Sequence, residues 1–248
     1  STRYRYMGCT DKLERRVVKM MDQFLWVLFP YIIFAIFIGG HIFRYNYDQF
    51  GWTSKSSELL EKKMLRIGSL LFHFGIMFVI GGHVMGILIP EAVYRSIGIS
   101  EHMYHVVAIS FGLPAGVASI IGLIILTYRR VTVKRIIATS TKGDYIALIL
   151  LLIVMLAGLS STFLNIDSKG FDYRTTIGPW FRSLFIFQPK VEYMMEVPVW
   201  FKIHILAGMG LFAVWPFTRL VHVFSAPIKY VSRSYVIYRR RIPNELKK

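Results

Sequence analysis

Apolar residues in this chain come in long blocks separated by polar, mostly basic connections, and seldom alternate with polar ones. A block of about 20 apolar residues is what an α-helix needs to cross a hydrocarbon core of about 30 Å. Five blocks reach that length: Phe24 to Phe43, Ile67 to Ile89, Val106 to Tyr128, Tyr145 to Phe163 and Val199 to Leu220. The pattern predicts an all-α integral membrane bundle of five transmembrane helices. It forms one domain over residues 23–225, between a polar N-terminal extension (1–22) and a basic tail (226–248). Pro90 closes the second block, because it cannot continue a helical hydrogen-bond ladder. The third block carries Gly112, Ala115, Gly116, Ala118 and Gly122, small residues that permit close approach of a helix or a macrocycle. The connection from Leu164 to Pro198 is amphipathic and aromatic, and is expected to lie along the membrane interface.

Charge adds an orientation. The chain is 54% hydrophobic yet carries a net charge of +16, and its cations sit between and after the apolar blocks. That placement suits topology signals and the anionic headgroups of membrane lipid, and argues against nucleic acid. The connection after the first block holds Arg44, Lys55, Lys62, Lys63 and Arg66, and the one after the third holds Arg129, Arg130, Lys134, Arg135 and Lys142. The tail holds Lys229, Arg233 and Arg239 to Arg241, whereas the connection after the second block has only Arg95. The positive-inside rule then predicts a multi-pass membrane protein, N-terminus outside and C-terminus cytoplasmic. Arg3, Arg5, Lys12, Arg15, Arg16 and Lys19 run against this. Three agreeing signals outvote them, and the segment reads as an extension ahead of a start near Met20 or Met21. The single cysteine, Cys9, leaves no framework for a disulfide or an iron–sulfur cluster within this chain. No cleavable signal peptide is expected.

Candidate chemistry comes from histidines. His73 and His83 lie in the second block, and His204 and His222 lie in and just after the fifth. An ionisable ring inside a membrane is costly unless something occupies it. Four imidazoles on two spans can close two six-coordinate iron sites, the arrangement by which a membrane cytochrome holds two b haems. In a five-span bundle the second and fifth spans are antiparallel, so His83 meets His204 toward the outer face and His73 meets His222 toward the cytoplasm. The spacings differ: ten residues between His73 and His83 rise about 15 Å, and eighteen between His204 and His222 rise about 27 Å. A kink at Pro216 is expected to absorb part of that difference. Gly75, Gly81, Gly82, Gly86, Gly208 and Gly210 would leave room for porphyrin faces, and Arg66, Lys202 and Arg219 stand at levels suited to anionic propionates. His41, in a second Gly-Gly-His triplet, is the rival ligand but reads as interfacial. His102 and His105 fall in a short connection, as solvated residues or as part of a quinone site. The competing reading makes the protein a haem-free anchor or transporter, with the histidines hydrogen-bonded or carrying protons.

Three stretches go further: FRYNYDQFGWTSKSSELLEKKMLRIGSLLFHFGIMFVIGGHVMGILIPE, DYRTTIGPWFRSLF and WFKIHILAGMGLFAVWPFTRLVHVFSAPIKY. Over about residues 22–241 the chain resembles the gamma subunit, or cytochrome b subunit, of respiratory nitrate reductase, in a Gram-positive-like version. The resemblance implies a quinol-oxidising, electron-transferring subunit with two haem b groups. It also implies two cytoplasmic partners, an iron–sulfur beta subunit and a molybdenum alpha subunit in which nitrate is reduced. His83 and His204 match the ligands of the outer haem, and His73 and His222 those of the inner one. Quinol, menaquinol in a Gram-positive source, would bind at Gly82 and His83. The family's loop lysine is missing here, and His102, Tyr104 and His105 occupy that region. Lys202 stands where other members have arginine. A related cytochrome serving sulfite or heterodisulfide reduction is the nearer alternative.

Overall fold

The computed structural model describes residues 16–53, 57–166 and 171–225. The first part of the expected N-terminal extension (1–15) and the whole basic tail (226–248) lie outside the described residues. The elements are α1 (Arg16–Tyr47), α2 (Lys63–Leu88), α3 (Glu91–Ser96), α4 (Glu101–Thr132), α5 (Lys134–Thr139), α6 (Lys142–Leu164), α7 (Ile177–Phe185), α8 (Glu192–Met195) and α9 (Val199–Val214). Two 3₁₀ stretches, Trp215–Phe217 and Arg219–Ser225, follow α9, and no strand occurs among the described residues. Five helices, α1, α2, α4, α6 and α9 with its first 3₁₀ turn, are long and apolar enough to cross a membrane.

Three boundaries differ from the sequence reading. Helix α1 is already helical at Arg16, the first described residue, so it takes in residues 16–22 of the expected extension. Helix α4 begins at Glu101, because the Ser100 side chain accepts the Met103 N–H and caps it, so His102, Tyr104 and His105 sit in its first turns rather than in a connection. Helix α9 stops at Val214, before Pro216, instead of running to Leu220.

Helices α2 and α4 make the closest pair, through small residues. A Cβ on Gly75 would stand 2.7 Å from the Ala115 carbonyl oxygen, and one on Gly122 would stand 2.7 Å from that of Gly68. Side chains there would force the backbones apart. Helix α6 then packs on α4, α9 on α6 and α1 on α9, which brings α9 round to face α2. Helix α7, in the connection expected to lie along the membrane interface, buries one face against the bundle. Its Ile177, Trp180 and Leu184 are buried with Trp26 and Ile33 of α1, Met194 of α8, Val197 just before α9, and Met209 of α9. Trp180 is 1% exposed, meets Trp26 edge to face at 5.7 Å, and donates its indole N–H to the Trp26 carbonyl at 2.8 Å. An amphipathic helix satisfies its apolar face equally well on lipid or on neighbouring helices, and here the bundle supplies the partner.

The basic connections converge at the opposite end. Arg129 of α4 reaches Glu61 Oε2 at 2.7 Å and the carbonyls of Ser57 and Glu61 at 2.8 and 2.7 Å. Burial pushes the Glu61 carboxyl up, but the N–H groups of Met64 and Leu65 and the Arg129 guanidinium outweigh it and hold it below the usual carboxylate range. A depressed folded value contributes stability that is complete above the unfolded value of about 4.3 and is lost as pH falls through the folded one. Glu61→Gln should therefore lower the thermal midpoint at neutral pH and flatten its acid decline. Wild-type and variant curves running parallel into acid would contradict this.

Candidate functional site

The fold brings the four expected histidines together in two pairs. His83 of α2 faces His204 of α9 with ring centroids 5.8 Å apart and planes at 37°. His73 of α2 faces His222 with centroids 6.2 Å apart and planes at 72°. All four rings turn the same nitrogen to a backbone carbonyl: Nδ1 lies 2.8 Å from Ser69 O for His73, 2.7 Å from Val79 O for His83, 2.9 Å from Val154 O for His204 and 2.7 Å from Arg219 O for His222. A carbonyl only accepts, so Nδ1 carries the proton and Nε2 keeps its lone pair for a metal. Two metal–imidazole bonds of about 2.0 Å, each with about 1.1 Å from nitrogen to ring centre, hold two rings about 6.2 Å apart. The inner pair is at that spacing, and the outer pair is 0.4 Å inside it, 5.8 against 6.2 Å.

Helix lengths explain the register. His204 to Val214 is ten helical residues, the same count as His73 to His83, so both spans rise about 15 Å over the matching interval. The chain then leaves the α-helix at Pro216, and the 3₁₀ stretch carries His222 at the level of His73. The mismatch expected from eighteen residues is thus removed by ending the helix rather than by bending it. Arg44 of α1 braces this turn, donating to the carbonyls of Pro216 and Thr218 at 2.8 Å each.

Each pair supplies two donors, and no group of three or more His, Cys, Asp or Glu suited to an ion occurs among the described residues. Two axial imidazoles suit an iron that brings its other four ligands in a macrocycle. Space beside the rings agrees: a Cβ on Gly81, Gly82, Gly208 or Gly210 would meet nothing within 4 Å. Gly158 of α6 is the opposite case, for its Cβ would stand 2.8 Å from His204 Cε1 and 3.0 Å from Nδ1. The residues present therefore fit a bis-histidine haem at each level.

The other expected site residues are scattered. Gly82 lies open beside His83. Tyr104 is buried, 4.9 Å from the Tyr94 ring and 4.5 Å under the Arg174 guanidinium, and its hydroxyl converges with that of Tyr173 over Gly86, where a Cβ would clash. Burial pushes the Tyr94 and Tyr173 hydroxyls up. His102 is exposed, and His105 Nε2 lies 3.3 Å from Ile166 O. Arg66 is exposed, Lys202 Nζ reaches Met195 O at 3.4 Å, and Arg219 donates to Asp144 at 2.6 Å, so a carboxylate already engages that propionate candidate. His41 joins neither pair: Nδ1 lies 2.6 Å from Phe37 O, and the ring packs on Phe224 and Trp52. Gly158 and Asp144 escaped the sequence reading, and Arg44 entered it only as a topology cation. Only Asp144 left a local signal, as the far end of a capping box with Thr141.

A model of the nitrate reductase gamma subunit family matches residues 22–241. The chain is 64% identical to the nitrate reductase gamma chain of Bacillus subtilis over 90% of its own length and 100% of the relative's. It is 33% identical to the respiratory nitrate reductase 1 gamma chain of Escherichia coli, over 90% of this chain and 100% of that one. A nitrate reductase-like protein of Mycobacterium tuberculosis is 43% identical over 91% of this chain, which covers 35% of that longer relative.

Proposed function

The chain belongs to the nitrate reductase gamma subunit family, and from that membership we propose that it is the membrane dihaem cytochrome b subunit of a respiratory nitrate reductase. It would oxidise quinol near the outer face and deliver electrons to a cytoplasmic iron–sulfur beta subunit and a molybdenum alpha subunit. The observation that carries the reading is the pair of facing imidazoles at each of two levels, 5.8 and 6.2 Å apart, with every Nδ1 turned to a carbonyl. A bound haem supplies a one-electron redox centre inside an insulating layer.

The chain's own residues do the rest. His83 and His204 would hold the outer iron, and His73 and His222 the inner one, from their Nε2 atoms. The Nδ1–H bonds fix ring orientation and raise ligand basicity. Gly82, beside His83, offers open backbone to the quinol head group, menaquinol in a Gram-positive source. His102 and His105 stand at the same end of the bundle and would take up quinol protons for release outward, whereas the burial of Tyr104 suits it to shaping the wall. Helix α7 packs at this end, with Arg182 donating to Ile87 O at 2.5 Å. Arg66, Lys202 and Arg219 are the candidate cations for propionates, Arg219 with Asp144 already on its Nε. The basic connections mark the cytoplasmic side, where the partners would dock, and the N-terminus would lie outside.

The test is a dithionite-reduced minus oxidised spectrum of the purified protein, with haem quantified per chain. Two b haems are expected. A folded, haem-free protein made with ample haem would overturn the proposal and return the histidines to hydrogen-bonding or proton-carrying roles.

A further inference from the structure

His222 lies beyond the end of α9, on a 3₁₀ stretch with no long helix to fix its height. Its Nδ1 sits 2.7 Å from the Arg219 carbonyl oxygen. The Arg219 side chain is tethered in turn, its Nε donating to Asp144 Oδ1 at 2.6 Å. Asp144 belongs to the first turn of α6 and is 3% exposed. Its other oxygen accepts the Thr141 N–H at 2.9 Å and Arg130 Nη1 at 3.2 Å, and Arg130 also holds Ser140 Oγ at 2.9 Å. A buried carboxylate between two guanidinium groups is tolerable only while all these contacts are kept, so the cluster is a stiff anchor. It ties α4, α6 and the segment after α9 together at one point.

We infer that Asp144 is a positioning residue for the inner haem ligand: by holding Arg219 it fixes the carbonyl that orients the His222 imidazole, and with it the 72° crossing of the His73 and His222 planes. This rests on the reading of that pair as axial ligands. Asp144 touches neither ring nor iron in this scheme, and its effect should be confined to one of two sites in the same protein. Outer-shell partners of metal ligands have effects of about 10- to 100-fold on retention of the bound group.

The low-spin ferric electron paramagnetic resonance signal of a bis-imidazole haem depends on the angle between its ring planes. The experiment records that signal and haem per chain for wild type, D144N, R219M and D144N/R219M in the purified full-length protein. H222A and H204A identify which signal is inner and which is outer. D144N is expected to shift the inner signal, or to lower haem from two per chain toward one, and to leave the outer signal in place. In the R219M background D144N should add nothing, because both act through one tether. A wild type with both haems whose inner signal is unmoved by D144N would overturn the inference. Should D144N not assemble, R219M decides alone: an unmoved inner signal overturns it there too. A wild type without haem would instead sink the parent reading.

Discussion

Replacing His83 or His204 with alanine is expected to empty the outer haem level and to lower quinol-driven nitrate reduction by more than about 100-fold. Loss of an outer-shell partner alone commonly costs about 10- to 100-fold in binding, and loss of an axial ligand costs more. The partner ring cannot compensate, because Val154 O holds His204 through Nδ1 and Val79 O holds His83 in the same way, each on its own side of the gap. The inner pair should survive, since its rings hang from Ser69 and Arg219 carbonyls at the other end of the bundle. One of two haems would therefore remain, and nitrate reduction driven by a dye that reduces the soluble partners directly should persist. Quinol-driven activity at wild-type level in either variant would refute electron entry at this pair.

How much of this could be read in advance follows from which interactions are local. Span length and apolarity are properties of consecutive residues, so the five membrane helices were legible. Antiparallel order then placed His83 opposite His204 and His73 opposite His222 without any knowledge of packing. Three features needed the neighbours. The amphipathic face of α7 fits lipid or protein equally, and the Trp26–Trp180 contact shows the bundle taking it. The start of α4 hangs on one serine hydroxyl in a polar stretch, a signal weak beside the apolar run that follows. Pro216 announced a disturbance, yet a kink and a full stop share the same residue, and the stop is settled by Arg44 taking the freed carbonyls of Pro216 and Thr218. Arg219 was read as a cation for a propionate because its level was right. Its pairing with Asp144, seventy-five residues away in sequence, is a tertiary fact.

Gly158 is the most exacting of these unread positions. It belongs to α6, the aliphatic span that has no histidine, and nothing local marks it as different from Ala157 or Leu159. In the fold it is the floor on which the His204 ring lies. One turn earlier on the same helix, Val154 offers the carbonyl that accepts the Nδ1 proton at 2.9 Å. The ring reaches that carbonyl only if residue 158 has no side chain, because a Cβ would stand 2.8 Å from Cε1 and 3.0 Å from Nδ1. A five-membered ring cannot flex away from such a contact; it must translate or rotate, and either motion moves Nε2 off the axis shared with His83. Gly158→Ala should therefore shift the outer haem's paramagnetic resonance signal while both haems remain bound. Gly158→Val, with two further methyl groups and a stiff χ1, should remove the outer haem and match His204→Ala in activity. The inner signal, on the far side of the His204–Val214 interval, should be unchanged in both. The helix itself gains from either substitution relative to glycine, so a loss confined to the outer site could not be put down to a weakened α6. An unaltered outer signal in Gly158→Val would mean that His204 is not held against α6 when the haem is bound.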